Sequence, residues 1–322
     1  ANTVLNTALL GMLALSTLLF IFALPLTKLI VPGFEGDKLD QTVTLTRLML
    51  ISPIIFTASN VFSSILSSFK RFVAINVAGI LYNVGIIFGL LVFYPTFGML
   101  GLGFGVILGA LLHAAIQFPA IYKLGFRWQL ILNLKDKGAR QILNLFIPRI
   151  FGLDISVISL LIASFVGSLL AEGSIAAYTL ANDLQAVPLG IFAISTATVL
   201  FPILSENFAQ NDDERFLKNL QRAVIQILLF IIPISIWMLL FRAQIVRFIY
   251  GHGEIGWEQT ILLFNALGVF TLALFSQSLV PLFARAFYAR QNTKTPVIIG
   301  LISMAINAVA SYTLSINYGV VG

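Results

Sequence analysis

The chain is dominated by apolar runs that are each long enough to cross a lipid bilayer. About 20 helical residues span a hydrocarbon core of roughly 30 Å, and long runs with few charges are typical of transmembrane helices. Charged residues make up only 10% of the 322 residues, and the mean hydropathy is +0.99. Backbone polar groups in a bilayer must be satisfied within each segment, which favours helices. The sequence therefore predicts an all-α, polytopic membrane protein.

Nine such segments are predicted. They cover residues 3–32, 41–69, 72–95, 98–124, 139–170, 173–205, 219–241, 258–289 and 295–318. The chain contains no cysteine, which excludes disulfides, thiolate metal sites and thiol nucleophiles. Its net charge of +6 needs no nucleic-acid partner, because cytoplasmic loops of membrane proteins carry excess Lys and Arg.

Basic residues are concentrated in alternate connections between the predicted spans. They are Lys70, Arg71, Lys123, Arg127, Lys135, Lys137, Arg140, Arg215, Lys218, Arg222, Arg290 and Lys294. The connections 94–98 and 170–174 contain no Lys or Arg. The positive-inside rule places the basic connections in the cytoplasm, where they set topology and meet anionic headgroups.

Residues 126–146 mix cations with apolar residues at helical spacing. This pattern predicts an interfacial helix on the cytoplasmic face that joins two helical bundles. The predicted organisation is an N-terminal lobe (1–125), an amphipathic linker (126–138) and a C-terminal lobe (139–322).

Two parts of the chain resemble each other, and each ends with an aromatic residue and a G-x-x-G pattern. The paired segments are "KRFVAINVAGILYN" (70–83) with "KTPVIIGLISMAIN" (294–307), and "FGMLG" (97–101) with "YGVVG" (318–322). The first pair places Lys70 on Lys294, Val73 on Val297 and Asn83 on Asn307. Internal repeats of this kind are common in secondary carriers.

The repeat predicts a unit of six helices, with two helices expected before Ala1 and at least one after Gly322. Because six is even, the two units share one orientation and are parallel repeats. Two six-helix lobes with a cleft between them predict transport by alternating access.

Four strings resemble the MurJ/MviN family, the lipid II flippases of the multidrug/oligosaccharidyl-lipid/polysaccharide exporter superfamily. They are "EGSIAAYTLANDLQAVPLGIFAISTATVLFPILSE" (172–206), "RAFYARQNTKTPV" (285–297), "SSFKRFVAINVAGILYNVGIIFGLL" (67–91) and "IVRFIYGHGEI" (245–255). The resemblance covers nearly the whole chain. It implies family helices three to six in the N-terminal lobe and seven to eleven in the C-terminal lobe.

The resemblance also implies a function. The expected activity is movement of a lipid-linked peptidoglycan precursor from the cytoplasmic to the outer leaflet of the bacterial cytoplasmic membrane. The chain is expected to be a monomeric transporter, not an enzyme, with the lipid-linked glycan and membrane lipids as partners. No cofactor or structural metal is expected, and Na⁺ or the membrane potential is the candidate driving force.

The resemblance implies arginines that line a central cavity, and one falls in the family string "AxRL". This chain has "ANDL" (181–184) there, so Asp183 replaces the arginine and reverses its charge. With Asn182 and Gln185 it forms a polar patch at helical spacing. The patch either lines the cavity and contacts a cation or sugar, or pairs with a neighbouring helix.

Three further positions are candidates. Arg149 follows Pro148 and either meets the diphosphate or extends to the interface. Asp154 lies near mid-span, where an ionisable group indicates function, either in the cavity or at an ion or proton site. Asn307 falls where some family members place a sodium ligand, and Ser311 lies one turn on, so Asp154, Asn307 and Ser311 form the candidate ion site. Because Ser311 is not a carboxylate, packing is the favoured interpretation of Asn307, and a hydrogen-bonded helix contact is the alternative for Asp154.

Several polar residues have simpler interpretations. Arg47 and Arg285 lie near span ends and are expected to extend to the interface. His113 and His252 are isolated and match no metal or hydrolytic motif. Residues 211–216, "NDDERF", are expected to be a solvated loop and helix start.

Three alternatives to lipid II transport remain. One is export of another lipid-linked oligosaccharide, or drug/ion antiport, by a member of the same superfamily. Another is a membrane-embedded glycosyl or polyprenyl-phosphate enzyme, which should carry a carboxylate cluster on a loop. The third is a scaffold that has lost transport, marked by the change at Asp183.

Overall fold

A computed structural model of the chain describes residues 2–133, 155–251 and 256–321. These residues form helices joined by short connections, with no strand among them. Eight helical stretches in the described ranges are long and apolar enough to cross a membrane. They are Asn2–Ile21, Gly36–Ser68, Phe72–Phe97, Met99–Lys123, Ser174–Ala209, Asp213–Leu240, Trp257–Ala289 and Lys294–Tyr318. The predicted all-α, multi-pass membrane class is confirmed.

The first of two compact units comprises Ala1–Leu153. Its helices are α1 (Asn2–Ile21), α2 (Ala23–Ile30), α3 (Gly36–Met49), α4 (Ile51–Ser68), α5 (Phe72–Phe88), α6 (Tyr94–Phe97) and α7 (Met99–Lys123), and a π-helical turn (Gly89–Phe93) joins α5 to α6. Buried apolar side chains of α1, α4 and α7 form one core, which consists of Leu5, Phe62, Leu66 and Ile121. This core holds the three helices together at the end where α1 begins.

The second unit comprises Asp154–Gly322. Its helices are α8 (Ile155–Ser168), α9 (Ser174–Pro188), α10 (Ser195–Ala209), α11 (Asp213–Leu240), α12 (Arg242–Tyr250), α13 (Trp257–Ala289) and α14 (Lys294–Tyr318). A π-helical turn (Leu189–Ile194) follows Pro188 directly, as expected where proline cannot donate to the helical ladder. Alanines of α9 and α10 and large aliphatic residues of α11 and α13 form the core.

The two units repeat one order of elements. In each, a long helix breaks at a phenylalanine, Phe22 (φ −89°, ψ 10°) or Phe241 (φ −101°, ψ 15°), and a short helix follows. A stretch of 33 residues comes next in both units. After a tight turn, the next helical stretch ends at Gly98 (φ 59°, ψ −139°) or Gly319 (φ 63°, ψ −142°). The predicted internal repeat is therefore present in the backbone.

The backbone gives a different register for this repeat than the sequence alignment does. Lys70 (φ 56°) and Gln291 (φ 58°) adopt the same left-handed conformation in the turn before the last helix. Lys70 therefore corresponds to Gln291 and Gly98 to Gly319, 221 positions apart in both cases (291 − 70 and 319 − 98). The predicted match of Lys70 with Lys294 is wrong by three residues, because Lys294 is already the first residue of α14.

Four helices end in the same type of turn. The residues with positive φ are Lys70, Gly125, Asn211 and Gln291, after α4, α7, α10 and α13. In each turn the next amide donates to the carbonyl five residues back: Arg71 to Leu66, Phe126 to Ile121, Asp212 to Asn207 and Asn292 to Phe287. This Schellman geometry satisfies carbonyls that the helix end leaves free. These are the four connections that the charge pattern predicts to be cytoplasmic.

The predicted interfacial helix is wrong over its described part. Residues 126–133 contain no helix. The buried amide of Asn6 donates to the carbonyls of Gln129 (2.8 Å) and Ile131 (3.0 Å), and Trp128 Nε1 donates to Asn6 Oδ1 (2.9 Å). The α1 side chain thus satisfies backbone groups that a helix would have paired internally.

Two predicted spans also differ from the observed helices. The first, 3–32, is two helices separated at Phe22. The fifth, 139–170, is described only from residue 155, and its apolar part there, Val157–Ser168, is shorter than a full span. The boundaries 126–138 and 139 stay predictions, because residues 134–154 lie outside the described ranges.

Glycines allow α5 and its π-helical turn to approach α7 closely. Gly85 faces Gly109, and Gly89 faces Gly105. A Cβ atom added at any of these four positions would overlap backbone atoms of the opposing segment. Small residues at helix crossings are a common packing device in membranes.

Candidate functional site

The predicted site residues separate into two groups on the second unit. Asn182, Asp183 and Gln185 lie on α9, while Asn307 and Ser311 lie on α14. Arg149 and Asp154 lie outside the described residues, so their roles stay predictions.

The polar patch on α9 is held together by a buried glutamine. Gln185 is 3% exposed, and its Nε2 donates to Asn182 Oδ1 (3.1 Å). Gln185 Oε1 is buried and accepts no hydrogen bond from any residue that the structure describes. A buried acceptor without a partner costs about 1–3 kcal/mol, so this amide is held at an energetic cost. Residues three apart face the same side of the helix, which confirms the predicted spacing of this pair.

Asp183 is exposed on the same helix, and it acts on a tyrosine of α12. Burial raises the pKa of Tyr250, and the negative charge of Asp183 raises it further. Tyr250 therefore stays protonated at neutral pH, and its hydroxyl is available as a donor near the carboxylate. Within the described ranges no cation forms an ion pair with Asp183. No described residue therefore neutralises the carboxylate of Asp183 through an ion pair.

A cavity of about 280 Å³ lies inside the second unit. Residues of α8, α9, α13 and α14 line it, and its polar side chains are Ser174, Tyr178, Gln277, Asn307, Ser311 and Ser315. The Ser315 hydroxyl donates to the Ser311 carbonyl, and the Tyr178 ring packs on Phe270 with centroids 5.2 Å apart. Both α14 residues of the candidate ion site thus face one cavity.

The polar atoms of this cavity are amides and hydroxyls. Hard cations take oxygen ligands of this kind. Among the described residues no carboxylate lines the cavity, so any negative charge there would have to come from elsewhere. The lining fits a weakly held monovalent cation better than a divalent one, and no cluster of three or more His, Cys, Asp or Glu occurs in the described ranges.

One polar cluster was missed by the sequence analysis. His113, predicted to be isolated, accepts from or donates to Ser59 at 2.6 Å across the α4–α7 contact. Gln117 and Ser63 complete the cluster, with both helices contributing residues four apart. The sequence signal was the pairing of Ser59 and Ser63 with His113 and Gln117, but only the register of helix packing brings the pairs together.

The two arginines predicted to extend to the interface also make backbone contacts, and their position relative to the membrane stays a prediction. Arg47 Nε donates to the Phe20 carbonyl (3.3 Å), just before the break in the first unit. Arg285 donates to the Ile194 carbonyl (2.9 Å) at the end of the π-helical turn. The Ile194 carbonyl also accepts from the Thr198 hydroxyl (2.6 Å). Each guanidinium group therefore adds a contact to a carbonyl beside an irregular turn.

Residues 211–216 form a helix start, as predicted. The Asp212 side chain caps α11 by accepting from the Arg215 amide (2.9 Å). Asp213 pairs with Arg290 (2.6 Å) in the turn after α13. Asp212 also forms an ion pair with Arg215 (3.1 Å). This pair and the Asp213–Arg290 pair lie at the surface, so they fix local geometry more than they stabilise the fold.

Comparison with known proteins decides the family. The sequence profile described as "Lipid II flippase MurJ" matches residues 1–322. The chain belongs to the MurJ lipid II flippase family. With eight helices long enough to cross a bilayer in its described part, this membership places the chain in the bacterial cytoplasmic membrane as a multi-pass protein.

Curated relatives of the MurJ family match at moderate identity. The chain is 27% identical over 300 residues to the probable lipid II flippase MurJ of Borreliella burgdorferi, which covers 93% of this chain and 59% of that protein. It is 32% identical over 222 residues to the Vibrio cholerae protein of the same description, covering 69% of this chain and 42% of that one. The chain thus spans about half the length of these relatives.

Solved structures show the same fold. A lipid II flippase MurJ in an inward closed conformation matches with a TM-score of 0.82 at 24% identity, over 99% of this chain and 67% of that one. An inward-facing multidrug resistance MATE transporter of the MOP superfamily matches with a TM-score of 0.76 at 16% identity, over 99% and 74%. These matches confirm the predicted fold.

Proposed function

We propose that this protein moves lipid II, a lipid-linked peptidoglycan precursor, from the cytoplasmic to the outer leaflet by alternating access. The observation that carries the proposal is the match of the MurJ family over residues 1–322. The repeated order of helices in the two units supports it, because duplicated lobes are the architecture of carriers that rock between two states. The proposal contains no catalytic step, and the protein acts as a monomer with membrane lipids around it.

Polar groups of the second unit have distinct roles in this proposal. Asp183 and Asn182 line the path of the substrate head group, and Gln185 fixes the rotamer of Asn182 from its buried position. Arg149 contacts the diphosphate, since a guanidinium suits phosphate recognition. The free carboxylate of Asp183 supports this assignment, because an ionisable group in a membrane-spanning helix indicates function.

The cavity of the second unit is the proposed sodium site. Asn307 and Ser311 would supply neutral oxygen atoms, and Asp154 would supply the negative charge. A bound Na⁺ would favour one state of the unit and so couple its conformation to the ion gradient. The membrane potential is the alternative driving force.

A second candidate cargo follows from Asp183. A carboxylate repels a diphosphate, whereas the resemblance expects an arginine at this position. The charge reversal favours another lipid-linked oligosaccharide, or an amine-bearing drug exchanged for an ion. The MATE fold similarity is compatible with both, because folds alone do not fix the substrate.

A transport assay tests these proposals. The complete gene should rescue growth after depletion of a lipid II flippase, and the purified protein should move labelled lipid II across liposome membranes. Asp183→Ala and Arg149→Ala should lower the rate at least tenfold, whereas Arg222→Ala, at an exposed position in the N-terminal half of α11, should not. Replacing Na⁺ by choline should slow the wild type and leave Asn307→Ala unaffected.

The outcome separates the candidates. Absence of rescue and of lipid II movement, at normal membrane levels of the protein, would contradict lipid II as the cargo. Movement that ignores Na⁺ would leave the membrane potential as the driving force and remove the sodium site from the proposal.

A further inference from the structure

The contact between α4 and α7 contains a ladder of four polar side chains. Ser59 and Gln117 are both 0% exposed. Ser59 Oγ lies 2.6 Å from His113 Nδ1, and Ser63 Oγ lies 2.8 Å from Gln117 Oε1. The partners are 54 positions apart in both rungs, so the two helices run parallel at this contact.

The hydrogen bonds of the ladder run in one direction. Ser63 donates to Gln117 Oε1, and Gln117 Nε2 donates to Ser59 Oγ (2.8 Å) and to the His113 carbonyl (3.0 Å). Ser59 accepts from Gln117, and its bond to His113 Nδ1 has the direction that the histidine tautomer sets. The neutral tautomer with its proton on Nε2 continues the direction of the ladder, since Nδ1 then accepts from Ser59.

The corresponding helix of the second unit lacks the two serines. Positions 280 and 284 of α13 correspond to Ser59 and Ser63 in the register set by the turns, and they are Val280 and Ala284. Burying polar groups costs free energy unless every donor and acceptor is satisfied. His113 lies within a membrane-spanning helix, where an ionisable side chain indicates function.

We propose that His113 is a proton-binding site of the first unit, and that its proton occupancy sets the packing of α4 on α7. A proton from water binds Nδ1, which then donates to Ser59 Oγ. Ser59 loses its acceptor and turns its hydroxyl to the carbonyl of Ile55, four residues back on α4. The imidazole ring is partly exposed at the surface of the described helices, and in this proposal a proton reaches it from water that enters beside the α4–α7 contact.

The surroundings of His113 make the two protonation states unequal. Elements packed against α7 carry these ionisable side chains: Asp37, Lys38, Asp40 and Arg47 on α3, Tyr82 on α5 and Tyr94 on α6, while α4 carries none. Tyr82 and His113 both pack on Phe56, with centroids 5.2 and 5.3 Å from it. An imidazolium at this contact has no carboxylate on α4, α5 or α6 to pair with. Protonation therefore favours a state in which α4 and α7 admit water between them.

Histidine spectroscopy tests the site directly. The protein is labelled with ¹⁵N-histidine and placed in lipid nanodiscs, and the His113 signals are those lost in His113→Gln. At about pH 8 the Nε2–H tautomer is expected, with one protonation step between about pH 5 and pH 8. Ser59→Ala should mix the two neutral tautomers. An Nδ1–H tautomer in the wild type, or no protonation down to about pH 5, would overturn the proposal.

The transport assay tests the consequence, and this part rests on the proposed function. The wild-type rate should change at least threefold across the pH range of the His113 protonation step. His113→Gln should transport with a flat pH profile, since the glutamine oxygen still accepts from Ser59. Ser64→Ala is the matched control, because Ser64 is exposed on α4 and bonds only its own helix. If the rate of His113→Gln depends on pH as the wild-type rate does, the ladder has a structural role only. The spectroscopic test of His113 protonation does not depend on lipid II being the cargo.

Discussion

The charge of Asp183 on α9 decides whether this unit attracts or repels an anionic head group. Asp183 is an exposed carboxylate without an ion-pair partner in the described ranges, so its field reaches any ligand beside α9. Asp183→Arg replaces repulsion by attraction toward a diphosphate. We expect the variant to bind a short-chain polyprenyl diphosphate about tenfold more tightly, a difference of about 1.4 kcal/mol. Calorimetry at fixed ionic strength measures it, because salt screens the effect.

The control for this prediction is Glu206→Arg, which makes the same charge change at an exposed position near the end of α10. Equal tightening in both variants would show a general effect of net charge and remove Asp183 from the binding path. Tightening in Asp183→Arg alone, combined with loss of wild-type transport, would show that the native carboxylate serves a different part of the cargo.

The sequence predicts side-chain contacts within one helix, whereas it does not predict contacts between side chains on different helices. Asn182 and Gln185 were predicted from spacing alone, and they do contact each other. His113 was missed because its partner Ser59 lies on α4, and no local pattern fixes the register of two packed helices. The sequence also does not predict that Gln185 Oε1 is buried without a donor among the described residues, since burial depends on the fold.

At the scale of elements, the α5–α7 contact depends on paired glycines. Gly105→Ala would bring a Cβ atom to 2.7 Å from Gly89 Cα, closer than real Cβ contacts allow. The atoms nearest to this Cβ belong to the backbone of Gly85 and Gly89, which cannot move aside as a side chain can. The two segments must therefore separate and lose packing. We expect a loss of about 2–4 kcal/mol, by analogy with overpacked cores, and a clear fall in Tm by thermal unfolding in detergent.

Gly79→Ala is the matched control on α5. A Cβ there meets nothing within 4 Å, and alanine favours the helix over glycine by about 1 kcal/mol. The control should therefore unfold at the same or a higher temperature. A stable Gly105→Ala variant would show that α5 and α7 are not in close contact in the membrane.

Element positions followed from apolar runs, whereas their ends and breaks did not. Residues 126–133 carry a helical pattern, yet Asn6 holds them in a non-helical conformation through long-range hydrogen bonds. The apolar run continues through the break at Phe22, although Pro25 cannot donate to the carbonyl of Ile21 four residues before it. The sequence alignment matches Lys70 with Lys294, three residues away from its structural equivalent Gln291, because left-handed φ values are set by the turn and not by residue type.

At the scale of the whole molecule, the repeat makes a prediction about topology. Lys70 and Gln291 occupy equivalent turns, and five candidate spans lie between them among the described residues. If the predicted fifth span also crosses the membrane, six crossings put both turns on the cytoplasmic side. This is the parity that parallel lobes require.

Single cysteines test that parity, because the chain has none of its own. Lys70→Cys and Gln291→Cys should both react with an impermeant maleimide in inside-out vesicles, and Thr96→Cys and Ala171→Cys in right-side-out vesicles. Labelling of Lys70→Cys and Gln291→Cys from opposite sides would mean that only five segments cross between them. The two units would then be inverted in the membrane, and a mechanism in which like-oriented lobes rock about a shared path would fail, whatever the cargo.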